Sequence, residues 1–307
     1  MRVTMMTTFV LAVCLISCFT TAARAEGATS ALSTRYPQLA SGVLSFANLD
    51  TLPEGVLLKS GDIEVTRAEL DSEMTKAKGE VTGQLEKNRL FLLENVAMRK
   101  LLLQAARAAG SANQATEEAE KDLLKKYFDS VTIDVAVTDD EVAKFYEENK
   151  DMCGGASLDQ IKGQLRDYVL GQKKQEAVAE HIRTIGQRSP IVLASSWVDE
   201  QAKLALDNPV DKARASGKPS LVDFGASGCR PCDMMTPILE SLKSKYDGKL
   251  NVLFVHVREE QILASRYGIQ SIPVQVFFNK EGKEIERHTG FYAQDEIEKR
   301  LKEMGVE

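Results

Sequence analysis

The stretch that decides the fold of the C-terminal third runs from Leu221 to Cys232 and reads LVDFGASGCRPC. Its first four residues form an apolar run that contains one acid, Asp223, and such a run is typical of a buried strand. The small residues at 225–228 indicate a loop, and an apolar helical pattern follows the second cysteine. The stretch therefore predicts a strand, a short loop and a helix, with two cysteines where the helix begins.

The spacing of Cys229 and Cys232 has a specific chemical use. Cysteines three positions apart at the start of a helix lie on one face, close enough to form a disulfide. Free N–H groups and the helix dipole favour a thiolate at Cys229, which would attack a substrate disulfide, and Cys232 would resolve the mixed disulfide. The alternative is half of a zinc site, but there is no second C-x-x-C and the three histidines are scattered. We therefore expect redox chemistry, with no metal and no cofactor beyond this disulfide.

Strand and helix patterns alternate on both sides of this stretch. An amphipathic helix at about residues 198–215, interrupted near Pro209, precedes it, and strand, helix, strand, hairpin and helix follow over residues 250–304. The sequence NKEG at residues 279–282 indicates the hairpin turn. This alternation, over about 110 residues, predicts an α/β fold.

The ordered motifs of this region resemble the thioredoxin family over about residues 198–307. The matching features are the stretch 221–232, the next helix with its internal Pro237, the segment YGIQSIP at residues 267–273, and Gly290. The resemblance implies a thioredoxin-like domain at residues 196–307, with a central mixed sheet flanked by helices. It also implies protein substrates that carry thiols or disulfides.

The same resemblance implies roles for individual residues. Asp223 corresponds to a buried carboxylate beneath the disulfide, where burial would raise its pKa and suit it to exchange a proton with Cys232. Pro273 would be a cis-proline that faces the disulfide, and Ile272 would offer backbone groups to an extended substrate peptide. The alternatives are an ordinary turn acid and a plain proline at the start of a strand.

Three positions depart from the family pattern. Gly228 replaces the tryptophan before the first cysteine, and Phe254 aligns with the lysine that pairs with the buried carboxylate. Arg230 replaces the glycine between the cysteines, and its charge should stabilise the Cys229 thiolate and make the pair more oxidising. Arg230 and Pro231 are also expected to contact the substrate. The direction of exchange, whether reduction, oxidation or isomerisation, stays open.

The N-terminus reads as an export signal over residues 1–25. Arg2 precedes a long uncharged apolar stretch, and the sequence ARA at residues 23–25 has the pattern of a cleavage site. One alternative is a transmembrane anchor, and another is lipidation of Cys18 in the sequence LISC. We expect a periplasmic or other extracytoplasmic location.

Cleavage after Ala25 would leave three cysteines, an odd number that is too small for a disulfide scaffold. Cys153, beside a Gly-Gly pair, is expected to be a stray thiol, although pairing with another subunit is the alternative. The formal net charge of −6 argues against a nucleic-acid partner, because such proteins carry a basic surface.

The N-terminal half has a different character. Residues 26–55 show no sustained period and are interpreted as a linker or loosely held arm. Residues 56–195 are interpreted as a mainly α-helical domain that opens with a strand pair at 56–65, and a single long helix is predicted at about 81–109.

Two motifs of this half, GDIEVTRAEL at residues 61–70 and VTDDEV at residues 137–142, are similar to SurA-type periplasmic chaperones and the N-terminal regions of parvulin prolyl isomerases. The similarity covers about residues 56–190. The parvulin catalytic domain has no counterpart, so isomerase activity is not implied, whereas binding of unfolded chains is. A spacer or an oligomerisation arm is the alternative.

The expected function is that of an exported protein thiol–disulfide oxidoreductase with a membrane or periplasmic redox partner. The alternative is a chaperone in which the thioredoxin-like domain is mainly a docking module.

Overall fold

The computed structural model describes residues 30–110 and 116–307. The predicted export signal, its cleavage site after Ala25 and the lipidation site at Cys18 lie outside the described residues. No helix within those two ranges is long and apolar enough to cross a membrane.

The N-terminal part contains one five-stranded sheet and most of the helices. Its elements in chain order are β1 (Ser30–Ala31), α1 (Leu32–Arg35), a 3-10 helix (Gly42–Phe46), β2 (Asn48–Asp50), β3 (Val56–Ser60), β4 (Ile63–Thr66), α2 (Arg67–Met74), α3 (Glu80–Lys87), α4 (Arg89–Ala108), α5 (Glu117–Val131), α6 (Asp139–Glu148), a second 3-10 helix (Lys150–Cys153), α7 (Leu158–Arg188), β5 (Val192–Ala194) and α8 (Ser195–Ala205). The strand order is β1-β2-β5-β3-β4, and the pairs are antiparallel except for β2 with β5.

Residues 30–50 belong to the folded core of this part. Strands β1 and β2 extend the sheet, and the side chains of Leu32 and Leu44 are fully buried in its hydrophobic cluster. The prediction of a linker over residues 26–55 is therefore wrong for these residues. The reason is that β2 pairs with β5, which follows more than a hundred residues later, and such long-range pairing leaves no local period in the sequence.

The strand pair predicted at residues 56–65 is confirmed as β3 and β4, but the long helix predicted after it is not continuous. The chain leaves helical geometry at Asn88, with φ −120° and ψ 39°, and this residue separates α3 from α4. Its side-chain amide donates a hydrogen bond to the carbonyl of Gln84. Asparagine side chains commonly make such local bonds to the backbone, and these bonds compete with the regular hydrogen bonds of a helix. The break frees the Asn88 Oδ1 atom to accept a hydrogen bond from Arg266 at 3.1 Å.

The C-terminal part is the α/β region that the sequence predicted. Its elements are α9 (Pro209–Arg214), β6 (Ser220–Gly225), α10 (Arg230–Lys245), β7 (Asn251–His256), α11 (Gln261–Arg266), β8 (Val274–Phe278), β9 (Glu284–Thr289) and α12 (Gln294–Glu303). The sheet order is β7-β6-β8-β9, with β6 and β7 parallel and the other pairs antiparallel. The thioredoxin-like mixed sheet with helices is thus confirmed.

Strand β6 lies inside this sheet and is buried along its whole length. Because side chains alternate across a sheet, Val222 and Phe224 enter the cluster that includes residues of α9 and α11, whereas Leu221 enters the cluster built with α10 and α12. Asp223 shares the face of Leu221. The alternation therefore directs its carboxyl toward the layer that contains α10.

The two parts meet at α8, α3 and α11. Trp197, Val198 and Ala202 of α8 pack into the N-terminal cluster, so that this packing extends past the boundary predicted at residue 195. Across the junction, the Gln84 side chain donates to the carbonyl of Glu259 at 2.6 Å and accepts from the N–H of Ile262 at 3.0 Å. The first turn of α11 is thereby held by a side chain of the N-terminal part.

Candidate active site

The two cysteines form a disulfide at the N-terminus of α10, with Cα atoms 5.2 Å apart. Cys229 is the N-cap residue, and its Sγ accepts the N–H of Cys232 at 3.4 Å. Pro231 occupies the first turn, where its missing N–H costs no hydrogen bond. Cys232 is only 3% exposed while Cys229 is half-buried, so an incoming thiol meets Cys229 first.

Arg230 begins α10 and is exposed. Its charge and the free N–H groups of the first helical turn both favour a negative charge on the adjacent sulfur when the pair is reduced. Gly228, immediately before Cys229, has φ +75°, a left-handed conformation that favours glycine over other residues. That backbone geometry gives a physical reason for a glycine immediately before Cys229.

The predicted cis peptide is present between Ile272 and Pro273. Pro273 directly precedes β8, whose first residue, Val274, pairs with Phe224 at the end of β6. The cis-proline and the loop to the disulfide therefore leave the sheet at the same end. Gly290 donates its N–H to the carbonyl of Pro273 at 2.8 Å, and Ile272 is half-buried beside it.

Asp223 is fully buried, and this burial raises the pKa of its carboxyl to about 6. Its Oδ1 accepts a 2.6 Å hydrogen bond from Nε2 of Gln275, which opposes the rise. An ideal Cβ placed on Gly225 would lie 3.5 Å from Asp223 Oδ2 and 3.3 Å from the Cβ of Cys232. The structure therefore brings the acid and the buried cysteine to the same small space.

Phe254 stands opposite Asp223 on β7, and half of its side-chain surface is exposed. The same ideal Cβ on Gly225 would lie 2.9 Å from its ring, so the ring covers the glycine. A phenyl ring supplies apolar cover and no positive charge. Burial consequently dominates the pKa of Asp223, and the raised pKa agrees with the expectation for a buried carboxylate.

Sequence reasoning missed two residues of this site. His256, at the end of β7, accepts the N–H of Ser227 on its Nε2 at 3.1 Å and thus holds the loop before Cys229. Gln275 is fully buried and bonds Asp223. The sequence did contain a signal for Gln275, because it is the one polar residue in the otherwise apolar strand VQVFF.

Cys153 is not part of the disulfide. It is a free, half-buried thiol whose Sγ contacts the carbonyl of Asn149 at 3.4 Å. Within the part of the chain that the structure describes, no three His, Cys, Asp or Glu side chains form a group that could hold a metal ion.

The accessible sulfur of Cys229 and the buried sulfur of Cys232 at one helix end are suited to accept and pass on a disulfide, which defines the class: a protein thiol–disulfide oxidoreductase. The model of the Thioredoxin family matches residues 200–303. Thioredoxin from Staphylococcus saprophyticus is 38% identical over 78 residues, which are 25% of this chain and 74% of that protein. Thioredoxin from Staphylococcus epidermidis is 37% identical over 91 residues, 30% of this chain and 86% of that protein. The chain belongs to the thioredoxin family.

A mutant thioredoxin from Halobacterium salinarum, whose structure is solved, is 30% identical and matches 32% of this chain and 83% of its own, with a TM-score of 0.29. The family match confirms the thioredoxin resemblance at the C-terminus. The similarity of residues 56–190 to SurA-type chaperones stays a prediction.

Proposed function

We propose that this oxidoreductase works outside the cytoplasm and exchanges disulfides with protein substrates through Cys229. The observation that carries the proposed exchange chemistry is the disulfide at the start of α10, with one accessible sulfur and a buried acid beneath it. A membrane or periplasmic partner would then restore the redox state of the pair after each exchange.

The first step joins Cys229 to the substrate. The Cys229 thiolate attacks one sulfur of a substrate disulfide, a bond forms between the two sulfur atoms, and the second substrate sulfur leaves as a thiolate. The helix N-terminus and Arg230 stabilise the attacking thiolate. We expect Pro231 and Ile272 to contact the substrate, and the backbone at Ile272 and Pro273 to pair with an extended peptide.

The second step releases the substrate. Asp223 takes the proton of the Cys232 thiol, and the resulting thiolate attacks Cys229 and displaces the substrate sulfur. A pKa of about 6 leaves most Asp223 carboxyls ionised near pH 7, so the group is available as a base. The reverse sequence oxidises a substrate dithiol, and the potential of the pair decides which direction prevails.

The test compares insulin reduction and refolding of scrambled ribonuclease by the wild type and by Cys229→Ser. We expect loss of both activities in Cys229→Ser and retention of both in the matched control Cys153→Ser. Full activity of Cys229→Ser would refute the proposed chemistry.

The extracytoplasmic location rests on the signal-like residues 1–25. We expect the full chain to be recovered from the periplasmic fraction of a Gram-negative host, and Cys18→Ser to remain there. Accumulation of the full chain in the cytoplasm would overturn the proposed location. If the wild type were found in the membrane fraction and Cys18→Ser in the soluble periplasmic fraction, Cys18 would be identified as a lipid anchor.

A chaperone activity is the second candidate, and exposed apolar side chains of the helical part favour it. Ile133 is 78% exposed after α5, and Tyr168 on α7 is 43% exposed. We expect the full chain with both Cys229 and Cys232 replaced by serine to suppress aggregation of an unfolded client, and replacement of Ile133 and Tyr168 by serine to weaken that effect. No suppression by the double serine variant would eliminate this candidate.

A further inference from the structure

A buried polar pair lies beneath the disulfide. Asp223 of β6 and Gln275 of β8 are direct cross-strand partners, and both side chains are fully buried. The amide Nε2 of Gln275 donates to Oδ1 of Asp223 at 2.6 Å. A buried amide in an apolar strand is costly unless it is hydrogen-bonded, so this contact accounts for its donor.

The two oxygens of Asp223 have different surroundings. Oδ1 is held by Gln275, while Oδ2 is buried and has no hydrogen-bond partner within residues 30–110 and 116–307. Oδ2 is also the oxygen that faces the space above Gly225, which the Cβ of Cys232 borders from α10. The bonded oxygen thus faces β8, and the free oxygen faces the cysteine.

We propose that Gln275 is a positioning residue for disulfide exchange: by holding Oδ1 of Asp223, it directs Oδ2 toward Cys232 and makes Oδ2 the oxygen that carries the transferred proton. This inference rests on the proposed role of Asp223 as the base. Gln275 is fully buried and hydrogen-bonds Asp223, so its effect on the exchange would pass through that carboxyl.

The proton transfer belongs to the release step. The Cys232 thiol proton moves to Oδ2, and the sulfur electron pair forms the bond to Cys229 Sγ. The bond between Cys229 Sγ and the substrate sulfur breaks, and the substrate leaves as a thiolate that takes up a proton. The cysteine pair loses two electrons and the substrate disulfide gains them.

Asp223 has Phe254 of β7 and Gln275 of β8 as its neighbours on the adjacent strands, and Cys232 of α10 borders the space above Gly225 that its Oδ2 faces. None of them carries a charge while the disulfide is closed. The amide donor therefore stabilises the ionised carboxylate against the effect of burial, and its loss should raise the pKa of Asp223 further.

The first experiment uses the oxidised wild-type chain and needs no activity. The carboxyl carbon of Asp223 and the side-chain amide of Gln275 are followed by NMR through a pH titration. We expect both signals to move with one shared midpoint near pH 6. If the chemical shift of the Gln275 amide did not change while Asp223 titrates, the inference would be overturned.

The second experiment uses Gln275→Met, which keeps the length of the side chain and removes the donor, with Gln275→Leu as the second variant. We expect the Asp223 midpoint to rise by about one pH unit, as the loss of a hydrogen bond to a charged group implies. Release of substrate in single turnover should slow by up to about tenfold below pH 6. Val276→Ala, on the opposite face of β8, should lower stability without moving the midpoint.

The last arm places Gln275→Met in an Asp223→Asn background. Because Gln275 acts through Asp223, the added substitution should leave the rate of release and its pH profile unchanged. An equal slowing in both backgrounds would refute the positioning role while leaving the cysteine chemistry intact. The proposed function fails by a different result, namely full activity of Cys229→Ser.

Discussion

Replacing Asp223 by asparagine should stabilise the oxidised protein at neutral pH, because burial opposes the charged form of this carboxyl. Its pKa of about 6 in the folded chain compares with an ordinary value of 3.8. Since one pKa unit corresponds to about 1.36 kcal/mol, this difference lowers the free energy of unfolding by about 3 kcal/mol once the group is ionised in both the folded and the unfolded state. Asparagine keeps an oxygen for the Gln275 donor and carries no charge.

The sign of the pH dependence follows from proton uptake. Below the unfolded pKa of 3.8 the carboxyl is protonated in both states, and the free energy of unfolding contains no charge penalty. As pH rises toward 6, the folded state binds more protons than the unfolded state, and wild-type stability falls. The advantage of Asp223→Asn should therefore grow between about pH 4 and 6 and level off above it.

Guanidinium denaturation of the oxidised wild type and Asp223→Asn, at intervals from pH 3.5 to 8, measures this difference. The exposed Asp247 provides a control for removal of one negative charge, through Asp247→Asn. A pH-independent difference between wild type and Asp223→Asn would refute the reasoning, as would a variant that is less stable at pH 7.

Three further predictions concern the surroundings of the site and the junction. Phe254→Lys should place a cation opposite Asp223 and lower the pKa of that carboxyl below about 6, which carbon NMR would detect; an unchanged or higher midpoint would contradict it. Gly228→Ala should lower the free energy of unfolding by about 1 kcal/mol, since alanine disfavours φ +75°, and equal denaturation midpoints would disprove this. Gln84→Ala should destabilise the chain by about 1 kcal/mol because the N–H of Ile262 loses its acceptor, and proteolysis near α11 should quicken; unaltered protection would count against it.

Much of the C-terminal fold was predictable because its signals are local. The apolar run around Asp223, the cysteine spacing, the hairpin turn at residues 279–282 and the proline at 273 each determine a nearby element through periodicity, turn chemistry or a restricted backbone. The cysteine spacing was enough to place the disulfide at the start of a helix, whereas the cis-proline before a strand was predicted from the thioredoxin resemblance.

The N-terminal part was less predictable because its sheet is assembled from distant segments. Strand β2 pairs with β5, which follows the helices in the chain. The segment at residues 48–50 is too short to show the alternating pattern from which a strand could be predicted. The break at Asn88 also involves a residue distant in the sequence, because Arg266 donates a hydrogen bond to the Asn88 side chain.

The sequence by itself determined the chemistry, because two cysteines at this spacing before a helix, with an acid in the preceding strand, need only local structure to form a redox pair. Only the tertiary structure decided which neighbours control that acid. Gln275 and Phe254 come to Asp223 from two other strands, and cross-strand register depends on the packing of the whole sheet. The proton chemistry of the site is therefore a property of the fold, whereas the identity of its sulfur atoms is a property of the chain.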